Sequence, residues 1–214
     1  MKINNDKSKT AVFNASKSRD FYPRILDSNG KMYENVDKFT LLGVDFASHP
    51  IKGGNWEDYI LKCVKKAYNK MWILKRLAEK GVSQKDLLMT YTSRIRIHLE
   101  LNVSLWHFSI NKNLSKIIER VQRACSFIIL GKSATPDYSS NLAVLELDRL
   151  DERRDKLSIK LAKKIIKHPE HRKMFQWKQR SKTRVGPKVV IPKDKTKRYS
   201  RRAVPSLARI INNL

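Results

Sequence analysis

Apolar residues recur at Ile60, Val64, Ala67, Met71, Leu74 and Ala78, spacings of four and three that form one stripe at about 100° per residue. The pattern predicts a helix over residues 56–79, with Lys62, Lys65, Lys66, Asn69, Arg76 and Lys80 on the opposite side. That polar side reads as lacking the flanking aromatics of a membrane-surface helix. Gly81 stands where a helix ends in a left-handed residue, and Ser83 can N-cap a second helix whose periodic set is Leu88, Thr92, Ile95, Leu99, Asn102/Val103 and Trp106. A third helix is predicted over 113–130, with Leu114, Ile117, Val121, Ala124 and Ile128 inward and Gly131 at its end. A short helix over 142–147 follows, then a long basic one over 151–167 that stops before His168-Pro169.

The first 50 residues lack this period. Runs at 10–14, 22–26 and 31–36 are β-prone, and Asp27-Ser28-Asn29-Gly30 between the last two signals a hairpin. Residues 39–46 read as one further strand through Gly43, and 49–54 break the pattern. The fold class expected is α+β and mostly α: short strands over 1–50, a helical domain over 51–167, and a basic, weakly ordered tail over 168–214.

Charge changes the picture most. In 214 residues, 46 Lys and Arg face 20 Asp and Glu, a net charge of +26. The tail carries +12 of it and the first 167 residues +14. Such an excess excludes an ordinary near-neutral enzyme as the default and calls for a phosphate-bearing partner, a nucleic acid or an anionic membrane surface. An apolar share of 41% is enough for a real core, and seven Gly with seven Pro disfavour a turn-rich β fold. Cys63 and Cys125 form no CxxC pair, which argues against a zinc finger and a disulfide framework. The chain has no apolar leader and no run long enough to span a membrane, so an intracellular protein, nuclear or cytoplasmic, is expected.

The sequence holds no phosphate-binding GxxxxGK[ST] loop, no GxGxxG and no GxSxG. His168 and His171 lack a third ligand nearby and read as a solvated helix end; His98 and His107 read as packing or surface residues. Asp148, Asp151 and Asp155, interleaved with Arg149, Arg153 and Arg154, read as ion-paired rather than as acid/base catalysts. Trp106 reads as core, and Trp177, in the basic tail, as the better candidate for stacking on a base. Two-metal nucleotidyl transfer needs convergent carboxylates, and no Asp-Asp pair occurs anywhere in the chain. No catalytic residue, metal ligand or cofactor is therefore assigned.

Several segments, in order, resemble the C-terminal part of a non-LTR (LINE-like, jockey/RTE-like) retrotransposon reverse transcriptase. Residues 1–14 are similar to the segment after the polymerase Asp-Asp turn, and Phe39-Thr40-Leu41-Leu42-Gly43-Val44 to the strand near the primer grip. Val64-Lys65-Lys66-Ala67-Tyr68, Met71 to Leu77, Tyr91, Ile95-Arg96, Leu99-Glu100 and Trp106 resemble the thumb helices. Ile118-Glu119-Arg120-Val121-Gln122-Arg123-Ala124 carries the most weight; Leu150-Asp151-Glu152-Arg153-Arg154 and Arg198-Tyr199-Ser200 through Val204-Pro205-Ser206-Leu207 complete the match. Ser8 stands where the family has Thr, and Ser104 where Pro is common. No endonuclease or zinc-knuckle segment is present.

The resemblance implies a palm-end β region over 1–50, a thumb-like helical bundle over 51–167 and a basic tail, with fingers and catalytic palm missing upstream. It implies an RNA-directed DNA polymerase fragment that binds RNA or an RNA–DNA hybrid, inactive alone, with Mg²⁺ only in a full-length parent. Candidate nucleic-acid contacts are Lys7 and Lys9 near the nucleotide-binding motif, Lys62, Lys65, Lys66 and Arg76 on the first helix, and Arg153, Arg154 and Arg198. The alternatives are an incomplete gene model of an active reverse transcriptase and a basic helical adaptor or membrane-surface protein.

Overall fold

A computed structural model of the chain describes residues 8–11, 24–26, 29–47, 56–178, 188–193 and 197–214. The chain is α+β and mostly α, in two compact units, Met1–Tyr59 and Ile60–Leu214.

In the first unit, β1 (Lys9–Thr10) pairs parallel with β2 (Glu34–Asn35), and Leu26 bridges Met32 across the Asn29-Gly30 turn, where Gly30 has φ +78°. The strand expected over 39–46 is instead a tight hairpin: β3 (Lys38–Leu41) pairs antiparallel with β4 (Val44–Ala47) in the register Leu41↔Val44. Leu42 (φ 50°) and Gly43 (φ 78°) both take positive φ, the geometry of a type I′ turn, and Gly43 adopts it without a Cβ penalty. Phe39 and Phe46 stack across the pair at 5.3 Å, and Trp56 continues the aromatic row at 6.2 Å.

The second unit is helical. In α1 (Glu57–Glu79) the predicted stripe is inward, with Ile60, Val64, Ala67 and Leu74 buried, each large aliphatic side chain contributing about 1.5–3 kcal/mol. Glu57 and Asp58 suit the positive end of the helix dipole. At the other end Val82 N–H donates to Leu77 O and Gly81 N–H to Ala78 O, a Schellman cap with Gly81 at φ +75°. The Ser83 hydroxyl then accepts from Asp86 N–H at 3.2 Å and starts α2 (Gln84–Thr90).

A π turn over Tyr91–Ile95 leads into α3 (Arg96–Glu100), and α4 (Val103–Trp106) follows after Asn102 at φ 52°. The buried residues here are Leu87, Tyr91, Ile95, Leu99, Val103 and Trp106. The stripe expected through Leu88 and Thr92 is thus one residue out of phase at its start. Spacings of four overshoot a 3.6-residue turn, and the wider π turn absorbs the excess so that Leu87, Tyr91 and Ile95 share one face. In α5 (Lys112–Leu130), N-capped by Asn111 Oδ1 on Leu114 N–H, the buried set is Leu114, Ile118, Val121, Gln122, Cys125, Ser126, Ile129 and Leu130. Its centre is rotated by about one residue from the Ile117, Ala124 and Ile128 expectation. α6 (Tyr138–Val144), capped by Asp137, and α7 (Leu150–Lys167) complete the bundle.

The tail needs correction. α8 (Pro169–Arg172), α9 (Lys197–Ser200) and α10 (Ala203–Asn213) lie within 168–214, and its described residues are not a solvated extension. Leu207, Ala208 and Ile211 of α10 pack with Ala162 and Ile165 of α7 and with Val189, joined by Phe175 and Trp177. Asn212 clips this arrangement: its Oδ1 accepts from Val189 N–H at 2.7 Å and its Nδ2 donates to Val189 O at 3.0 Å. A few well-spaced apolar residues bury the segment despite its charge, because the lysines and arginines between them stay at the surface.

Candidate nucleic-acid interface

α1 presents a basic and aromatic side to solvent. Lys62, Lys65, Lys66 and Lys70 are exposed, and so are Leu61, Tyr68 and Trp72, the last at 62%. At about 100° per residue, Leu61, Lys65, Tyr68, Trp72 and Arg76 fall on one flank of the helix. Aromatic rings, expected to be lacking from this helix's polar side, are therefore present beside Lys65 and Arg76. Arg76 lies 3.8 Å from Glu79, an exposed pair. Burial, with Lys66 and Lys70 adding to it, holds the His98 imidazole below its ordinary value.

The other candidates divide. Lys7 lies outside the described residues. Lys9 is in the first unit and pairs with Glu34 at 2.9 Å, both exposed. Arg198 falls in α9, its side chain outside the described part. Arg153 is engaged by a carboxylate, and Arg154 is corrected. Arg153 holds the Glu100 carboxylate with both arms, the longer at 3.1 Å. Arg154 is 2% exposed; its Nε donates to His107 Nδ1 at 3.2 Å, its Nη2 to Ser115 Oγ at 2.7 Å, and its guanidinium sits 5.9 Å from the Trp106 ring. The buried Arg154 guanidinium reaches no phosphate, and the part-exposed Arg153 guanidinium is engaged by Glu100; both tie α7 to the segments before it.

Trp177 also changes role. Its indole N–H donates to Arg172 O at 2.7 Å, the Arg172 guanidinium covers its ring at 4.6 Å, and it packs with the C-terminal cluster. Trp106 is core, its N–H donated to Leu101 O. Trp72 is the exposed tryptophan of the described residues.

The Glu119–Gln122 segment is a buried polar junction, which periodicity alone did not reveal. Gln122, fully buried, accepts from Tyr91 Oη–H at 2.6 Å and donates to Tyr138 Oη and Asp148 O, both at 3.0 Å. Tyr138 Oη–H donates to Glu119, whose carboxylate also accepts from Leu150 N–H at 3.1 Å. Glu119 of α5 thereby caps the first turn of α7, where Arg149 supplies no side-chain cap. The i, i+3 spacing of an acid and an amide on an apolar face was the available signal. Burial drives the Tyr91 and Tyr138 hydroxyls well above the usual phenol range, so both remain donors. Burial pushes the Cys125 thiol up to about 12, away from nucleophilic use.

Beside this junction lies a groove of about 430 Å³ lined by Lys112, Ser115, Lys116, Glu119, Arg120, Arg123, Tyr138, Arg149 and Asp151. Arg149 holds Asp151 at 3.0 Å. Among the described residues, no group of three or more His, Cys, Asp and Glu side chains could hold a metal ion, and no helix is long and apolar enough to cross a membrane. The His168 and His171 rings meet edge to face at 5.5 Å. No family model, curated protein or solved structure matches the chain.

Proposed function

We propose that the chain is a nucleic-acid-binding module, related to the thumb and C-terminal region of a non-LTR retrotransposon reverse transcriptase, that engages RNA or an RNA–DNA hybrid and performs no nucleotidyl transfer itself. The observation that carries the reading is the exposed surface of α1, where Lys65 and Arg76 share a flank with Tyr68 and Trp72 and Lys62, Lys66 and Lys70 are exposed on the adjoining face, on a chain of net charge +26. Lysines neutralise phosphates without reading sequence, and an exposed indole stacks on any base. The divalent metal of the parent reaction belongs to an Asp-Asp pair that this sequence lacks.

The test is fluorescence anisotropy with labelled RNA and RNA–DNA hybrid across a salt series. With about five phosphates engaged on a duplex, log K falls against log salt with a slope of about −4 to −5. Lys65→Ala with Lys66→Ala should flatten that slope by about 1.8, and Trp72→Ala should cost about 1–3 kcal/mol on a single strand. Primer extension with Mg²⁺ and dNTPs should give no product. Salt-independent affinity, no binding in dilute buffer, or extension by the chain alone overturns the proposal. Exposed Leu61, Tyr68 and Trp72 next to lysines also suit a membrane surface, so anionic vesicles form the comparison arm. Tighter binding to vesicles than to RNA assigns the face to lipid.

A further inference from the structure

Lys112, Lys116 and Arg120 recur every four residues along α5, about 6 Å of rise apart, and with Arg123 they line the groove that Tyr138, Arg149 and Asp151 complete. Its five cations meet two carboxylates, and both carboxylates are engaged. Glu119 accepts from Tyr138 and Leu150, and Asp151 accepts from Arg149 Nε and Nη2 at 3.0 and 3.1 Å. Lys112, Lys116 and Arg120 form no ion pair among the described residues. Like charges one helical turn apart destabilise a helix, and an anion lying between them reverses that sign. The Tyr138 ring is held in place by its hydroxyl and by the Arg123 guanidinium 5.9 Å from its centroid. A row of cations tracking a backbone, beside an aromatic face, is the composition of single-strand binding surfaces.

We propose that this groove is a second nucleic-acid contact, seating successive phosphates of a single strand on Lys116, Arg120 and Arg123. The proposal rests on the nucleic-acid reading above and adds a site to which none of the sequence-predicted contacts belongs. Residues elsewhere in the bundle hold the groove rigid through Glu119 and Gln122, so binding needs little rearrangement of its floor.

The experiment compares Lys116→Ala/Arg120→Ala with Lys160→Ala/Lys163→Ala, an equal charge change at exposed positions of α7 outside the groove. A labelled oligouridylate is titrated with the full chain over a salt series, and circular dichroism verifies that each variant is folded. The groove variant should flatten the salt slope by about 1.4, the value for two single-strand phosphates, and weaken binding about 25-fold at about 0.1 M salt. The control should lose under about threefold, since its charges act only through the screened field. Equal losses in the two variants overturn the groove and leave the proposed function standing; absence of wild-type binding takes down both. Inorganic pyrophosphate is the competitor. Displacement explained by its ionic strength supports a strand, whereas stoichiometric displacement that Lys116→Ala/Arg120→Ala abolishes assigns the groove to a free phosphate compound and overturns the proposal.

Discussion

Replacing Gln122 with Leu removes an amide of similar size from the centre of the bundle. It leaves the Tyr91 hydroxyl, which is fully buried, without its acceptor, and deprives Asp148 O of a donor. Each orphaned buried group costs about 1–3 kcal/mol, so the expected loss is about 2–5 kcal/mol, a large part of the stability of an ordinary domain. At this size that lowers the melting temperature by about 4–20 °C. Tyr91→Phe leaves Gln122 Oε1 without a partner and should cost about 1–3 kcal/mol. Both substitutions abolish the same Tyr91–Gln122 bond, so the double variant should lose about 1–2 kcal/mol less than the two single losses added together. Urea unfolding at constant m reads all three values. A loss under about 0.5 kcal/mol for Gln122→Leu, or strict additivity in the cycle, would refute the view that this junction holds the helices in register.

Arg154→Ala should destabilise by about 2–4 kcal/mol, because it leaves a void and strands Ser115 and His107; Arg154→Met should lose less. Both variants, where folded, should keep wild-type RNA affinity, and a selective loss of affinity at unchanged stability would return Arg154 to the phosphate contacts. His107 accepts from Arg154 through Nδ1 and pairs with Asp155 through Nε2 at 2.7 Å; burial, the largest influence, and the Arg154 charge outweigh Asp155 and hold its imidazole below the ordinary 6.5. The unfolded chain therefore binds the proton first, and stability should fall as pH drops from about 6.5 toward the depressed folded value, then level off for this group. Calorimetry of wild type against His107→Gln isolates that contribution: the stability of wild type relative to the variant should rise with pH over this range, and a relative stability that falls as pH rises would contradict it. Asn212→Ala removes both bonds to the buried Val189 backbone and should cost about 2–4 kcal/mol, read as faster amide exchange in α10; unchanged exchange would show that α10 holds without the clip.

Local rules settled much of this protein. The α1 stripe, the Gly81 and Ser83 caps, the Asn29-Gly30 turn and the mostly α class follow from period, propensity and punctuation, which act within a turn or two of chain. The strand over 39–46 failed at the same scale, since Leu42 at positive φ is a turn residue that its chemistry does not advertise. Tertiary structure decided the rest. Which residue of α2 and α5 faces inward depended on a π turn and on neighbouring helices, and the stripe moved by one position. Arg154, expected at a phosphate, is instead an interior fastening, and only long-range partners show that Gln122 is another, with part-buried Glu119 and Arg153 joined to the same helices. The same dependence exchanged Trp177 for Trp72 as the exposed ring and gathered α10 onto α7. A sequence states what a side chain can bond to; whether the bond is spent inside or left for a ligand is set by what folding brings within about 3 Å of it.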